Sequence, residues 1–217
     1  MQRRKFLAAV GSLTAASAAG IGTGAFSAMS AERGANIDVV TDSNGLIALR
    51  AGEAADGRVY ENDGGELEID FTSDEGGMGV NVNSRYQVGV WNTAGGMSYT
   101  DVDEADILKG SSGGITPAFN IINLDDMEHG ISAEFEVTDP SMIGEASLHF
   151  QFIPQGGQSN ANKQGIDIDK DSPTDSWGPE PTPAGHNWAV AILVDTRGTT
   201  MDPADLDLSG TLTISAD

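Results

Sequence analysis

The sequence predicts an all-β protein, an antiparallel β-sandwich of jelly-roll type with long loop insertions. Three observations carry that prediction. Apolar or alternating runs of strand length recur after residue 35, bounded by Gly, Asp, Asn or Pro. Glycine supplies 28 of the 217 residues, as a chain with many tight turns requires. Helical periodicity is scarce: the one short helix it suggests spans residues 102–109.

Taken in order, the expected strands are 36–41, 46–51, 66–72, 86–91, 116–124, 131–137, 147–153, 188–194 and 208–215. Several alternate cleanly. Leu67, Ile69 and Phe71 share one face, with Glu66, Glu68 and Asp70 on the other. Ala133, Phe135 and Val137 oppose Glu134 and Glu136, and Leu148, Phe150 and Phe152 oppose His149 and Gln151. Leu212 and Ile214 oppose Thr211, Thr213 and Ser215. Such strands suit antiparallel sheets with one wet face. The longer connections are 73–84, 92–114 and 154–186, the last reading as an irregular insertion rich in Gly, Asn, Asp and Pro. No second domain emerges, so residues 35–217 are expected to form a single sandwich.

Residues 1–25 read differently. Arg3, Arg4 and Lys5 form a basic start, and no acidic residue appears before Glu32. The mildly apolar stretch that follows is too short and Ala-rich for a spanning helix of about 20 apolar residues. Basic start, apolar middle and small residues are the layout of a removable export signal. Arg3, Arg4, Phe6 and Leu7 resemble the core of the twin-arginine signal, although Gln2 and Ala8 depart from its flanks. Cleavage is expected between Ala25 and Phe26, with Ala18 as the alternative. The mature protein would be secreted, extracellular or on the cell surface, with no stable membrane span.

Charge narrows the function classes. Asp+Glu number 33 against 11 Lys+Arg, a net charge of −22. A phosphate-neutralising nucleic-acid binder is excluded on that balance. Loss of Arg3, Arg4 and Lys5 leaves eight basic residues against all 33 acidic ones. So acidic a surface repels itself in dilute buffer and is quiet in molar salt, where the Debye length falls to about 3 Å. The expected source is an extreme halophile, an archaeon. Without cysteine there is no disulfide, no thiolate metal site and no thiol catalysis.

Catalytic motifs are missing. His129, His149 and His186 lie far apart, and no metalloprotease helix, nucleophile elbow or phosphate loop is present. Any two carboxylates could be nominated as acid and base in so acidic a chain, so the pairing carries no information. No enzyme and no cofactor are expected. Asp167, Asp169, Asp171 and Asp175 are the candidate ligands of one structural Ca²⁺, because alternate carboxylates can converge on a hard cation. Ser172 and Gly178 stand where an EF-hand has its glycine and its glutamate, so the motif is not that one. Of the tryptophans, Trp91 and Trp188 fall in strand runs and suit a core, whereas Trp177 is the one expected to be exposed in a loop.

Three segments together carry a family resemblance. Gly22-Thr23-Gly24-Ala25-Phe26-Ser27 follows the signal, Ala118-Phe119-Asn120-Ile121-Ile122-Asn123-Leu124 lies mid-chain, and the strand at 208–216 closes it. The chain resembles the secreted jelly-roll proteins of the TasA and camelysin superfamily. That resemblance implies a structural subunit of an extracellular filament or pilus, a biofilm fibre, whose partners are other copies of itself. It also implies that the segment freed by cleavage, 26–34, is a donor strand, with Phe26, Ala28, Met29 and Ala31 entering a neighbour's edge. A rival reading is a secreted or surface-attached binding module that uses the 154–186 loop, with calcium. A hydrolase in the camelysin sense is a third.

Overall fold

The computed structural model describes residues 36–40, 45–54, 57–63, 65–71, 83–90, 116–155, 165–202 and 205–217. All belong to Arg33–Asp217, one compact unit. They form twelve strands: β1 (Asn36–Val40), β2 (Ile47–Ala51), β3 (Val59–Glu61), β4 (Leu67–Asp70), β5 (Arg85–Val88) and β6 (Phe119–Asn123), then β7 (His129–Val137), β8 (Ser147–Pro154), β9 (Gly165–Ile168), β10 (Thr174–Thr182), β11 (Asn187–Asp195) and β12 (Gly210–Ala216). The helix expected at 102–109 and Trp91 lie outside the described residues.

Two sheets pack face to face. The first runs β10-β7-β12-β1-β4-β3 and the second β2-β6-β11-β8-β9, with β5 end to end with β6 along the same side of β11. Among the described residues every pairing is antiparallel except one: β1 lies parallel to β12, with Ile37 opposite Gly210 and Val39 opposite Leu212. An all-antiparallel sandwich was expected. The difference arises because the first strand fills the place between β12 and β4, a pairing that no local pattern encodes.

The alternation predicted for the first sheet is what the chain does. Ile131, Ala133, Phe135 and Val137 of β7 are buried, and Glu134 and Glu136 are exposed. On β12, Leu212 and Ile214 face inward, while Thr213 and Ser215 face water. The second sheet departs from the expected wet face. Phe150, Phe152, Val190 and Ile192 join the inter-sheet core, yet Gln151, Ala189, Ala191 and Leu193 on the opposite face are buried as well. Strands covered on both faces read as apolar runs rather than clean alternations, as 188–194 does.

The expected irregular insertion at 154–186 is corrected: it contains β9 and β10. Strand β10 was hidden by Gly178, Pro179 and Pro181, which ordinarily argue against a strand. Among the described residues it is an edge strand, paired only with β7, and an edge tolerates residues without an N–H. Its register slips between Trp177 and Glu180, where three β10 steps cover two β7 steps. Gly178 has φ +91°, and a Cβ there would meet the Ile131 carbonyl oxygen at 2.5 Å, so glycine is required.

That bulge corrects the expectation for Trp177, which is buried rather than exposed. Its ring stacks on Phe152 at 4.3 Å between centroids and meets Trp188 edge-on at 4.6 Å. Three rings from both sheets thus lock the sandwich at this end. The inserted residue also turns Thr182 inward, where its Oγ1 accepts the Trp188 Nε1–H at 2.8 Å. Without the bulge the period of two would have pointed Thr182 to solvent.

The two long sides of the sandwich differ. On one, the chain passes from β9 to β10 through a tight turn in which Asp169 and Ser172 exchange main-chain bonds. On the other, β2 faces β3 and β4, and side chains bridge the gap. Glu61 Oε2 accepts from Arg50 Nη1 at 3.1 Å, and its Oε1 accepts the Ala51 N–H at 3.2 Å. Among the described residues no helix is long and apolar enough to cross a membrane.

Candidate functional site

The side bridged by Glu61 holds a cleft of about 460 Å³. Its apolar lining is Val39 of β1, Ile47 and Leu49 of β2, and Leu67 of β4, with Arg50 and Glu66 among the polar lining residues. Among the described residues, strand β2 is the edge of its sheet and pairs only with β6. The Leu124 N–H bonds the Leu46 carbonyl, and the Gly52 N–H bonds the Ala118 carbonyl. Hydrogen-bonded pairs alternate along an antiparallel ladder. Ala48 and Arg50 therefore turn their main-chain groups to β6, and Ile47, Leu49 and Ala51 turn theirs to the open edge. The Ala51 N–H is the one Glu61 accepts. An open main-chain edge beside an apolar inter-sheet cleft is the geometry into which an extended peptide can add.

The calcium candidates are dispersed into separate hydrogen bonds. Asp169 Oδ1 accepts the N–H groups of Asp171 and Ser172 at 2.8 and 2.7 Å, fixing the turn before β10. Asp175 Oδ2 accepts the Asp167 N–H at 2.8 Å, and Asp171 Oδ2 pairs with Lys170 Nζ at 2.6 Å. Asp167 Oδ1 faces His149 Nδ1 at 2.9 Å. Among the described residues no three His, Asp or Glu side chains converge as metal ligands.

The same strand pairing makes a cluster that no sequence motif announces. His149 lies directly opposite Asp167 in the β8–β9 ladder, and Ser147 is two residues before it on the same face. Ser147 Oγ sits 2.9 Å from His149 Nε2. Only the spacing of Ser147 and His149 was legible; Asp167, 18 residues on, is brought in by the ladder.

His129 takes part in a different device. Its Nε2 faces the Asp125 carboxylate, and its Nδ1 lies 3.0 Å from the Asp217 carbonyl. Two acceptors call for two ring N–H donors, so the geometry selects the imidazolium. The hydrogen bond to Asp125, then that to the Asp217 carbonyl, raises the pKa of His129, and His129 lowers that of Asp125. A raised histidine stabilises the fold fully below its ordinary 6.5 and loses that contribution as pH rises through the folded value. A lowered carboxylate contributes above its ordinary 3.8 and loses it as pH falls through the folded value. The pair therefore contributes most between those ordinary values. Asp125→Asn is expected to lower the thermal midpoint at about pH 5 and to change it far less at about pH 9, as thermal scans at both pH values would show.

Arg3, Arg4, Phe6 and Leu7, the junction Ala25–Phe26 and the segment Phe26, Ala28, Met29 and Ala31 all lie outside the described residues. Compared with known proteins, the chain matches no family model, and no curated protein is similar to it.

Proposed function

We propose that the protein is a structural subunit of an extracellular filament or pilus, assembled head to tail by donation of an N-terminal strand. The cleft beside the β2 edge carries this reading, because among the described residues it offers both requirements of strand addition: main-chain groups of Ile47 and Leu49 turned away from β6, and an apolar floor. The donor is residues 26–34, freed by signal cleavage near Ala25 and Phe26. With a strand period of two, Phe26 and Ala28 share one face and Met29 and Ala31 the other, so one pair enters the cleft. No charge occurs in the segment before Glu32, which suits an apolar lining. A contact between one copy's terminus and the next copy's edge does not close on itself, and such contacts propagate as fibres.

In this reading the mature domain is a sandwich of jelly-roll type, secreted by a halophilic archaeon and soluble as a subunit because its surface is acidic. The outer face of the first sheet supports that: Thr213 of β12 lies opposite Glu134 of β7, and Thr211 lies opposite Glu136, so hydroxyls intersperse the carboxylates. The resemblance of the 22–27 junction to the TasA and camelysin superfamily supports it too.

The test is assembly at molar salt of the mature protein with and without residues 26–34, read by electron microscopy. Filaments are expected only from the protein that keeps the segment. Identical filaments from both, or filaments from neither, would overturn strand donation.

A further inference from the structure

Ser147, His149 and Asp167 stand in the order of a nucleophile, its base and the group that orients the base. In the neutral ring whose Nδ1–H donates to Asp167 Oδ1, at 2.9 Å, Nε2 carries no proton. That nitrogen then accepts the Ser147 hydroxyl at 2.9 Å. A cross-strand His–Asp pair alone would be ordinary sheet chemistry. What distinguishes this one is the serine on the second ring nitrogen and the space it faces. Both residues, with Asp167 and Lys170, line a cleft of about 280 Å³ on the β8–β9 side. His149 is only 4% exposed, whereas Ser147 is half-buried, so the base is sheltered and the hydroxyl is reachable. All three sit on paired strands rather than loops, and the Asp167 main chain is held further by Asp175.

We propose that Ser147 is a base-activated nucleophile for acyl transfer from small uncharged esters or amides, an activity independent of filament assembly. Ser147 Oγ attacks the acyl carbon while its proton passes to His149 Nε2, and Asp167 stabilises the imidazolium. The imidazolium returns the proton to the departing alcohol or amine, leaving an ester on Ser147. Water then attacks that ester as its proton passes to Nε2, the bond from Ser147 Oγ to the acyl carbon breaks to release the acid, and the imidazolium returns the proton to Oγ. Among the described residues, Glu145, Asp167, Asp169 and Asp171 give the cleft a negative lining against the single cation Lys170, which disfavours anionic substrates relative to neutral ones.

The test uses the whole protein in molar salt with an uncharged alkyl fluorophosphonate. Attack by Ser147 forms a P–O bond and expels fluoride, and mass spectrometry locates the adduct. One equivalent on Ser147 is expected, and none on that peptide in Ser147→Ala, a change that removes only a half-buried hydroxyl. Asp167 is a positioning residue: Asp167→Asn should slow labelling roughly 10²-fold or more with the thermal midpoint kept, and Asp167→Glu should recover part of the rate. A wild-type protein that takes no label would overturn the assignment. So would label on another residue, equal labelling after unfolding in urea, or a rate that Asp167→Asn leaves unchanged.

Discussion

Lowering NaCl from molar to about 0.1 M is expected to collapse the thermal stability of the mature protein. Two like charges 10 Å apart in water repel by about 0.4 kcal/mol before screening. At about 0.1 M salt the Debye length is about 10 Å and much of that repulsion survives; at 1 M it is about 3 Å and nearly all is lost. With 33 acidic residues against the eight basic ones left after loss of Arg3, Arg4 and Lys5, many such pairs act together. Their sum rivals the whole stability of a domain, about 5–15 kcal/mol. Ion pairs do little to offset it. Asp195 is gripped by both Arg85 and Arg197, at 2.7 and 2.9 Å, whereas Glu134 and Glu136 stand exposed on the outer face of β7. Circular dichroism melts across a salt series should show the midpoint rising steadily with NaCl. A midpoint that does not move would refute the halophilic reading, whatever the filaments do.

Leu212→Ala is expected to cost about 2–5 kcal/mol, read as a lowered denaturant midpoint at molar salt with an unchanged slope. Leu212 is fully buried on β12, opposite Phe135 of β7 on one side and Val39 of β1 on the other. It thus stands where the first and last described strands of the domain meet. Truncation leaves a cavity between β-strands whose paired main chains cannot readily collapse into it. The neighbouring Thr213→Ala, on the exposed face, should change stability by no more than about 0.5 kcal/mol. Equal effects from the two would place β12 outside the core.

Strand β12 also shows how much could be read in advance. Leu212 and Ile214 alternate with Thr211, Thr213 and Ser215, and the burial of the strand follows that pattern residue by residue. The same holds for β7 and for β4, where Leu67 and Ile69 are buried. Strand β3 escaped notice because Val59-Tyr60-Glu61 is too short to display a period. It is held by its hairpin partner: the Tyr60 hydroxyl donates to Glu68 at 2.7 Å, a bond that pushes the phenol up to about 12.

What the sequence by itself determined is therefore the all-β class, the acidic surface and the inward residues of strands that are wet on one face. Each is a local property, because successive side chains point to opposite faces whichever strand lies alongside. Only the tertiary structure decided the parallel seat of β1, the burial of Trp177, the open β2 edge and the meeting of Ser147 and His149 with Asp167. Those depend on which strands pair and in what register. A single inserted residue at Gly178 reverses which face every later β10 side chain takes, and a pairing between β8 and β9 brings a carboxylate 18 residues away onto one imidazole. Register is fixed by the summed burial of whole strands against one another, so it has no signature in the few residues that end up in contact.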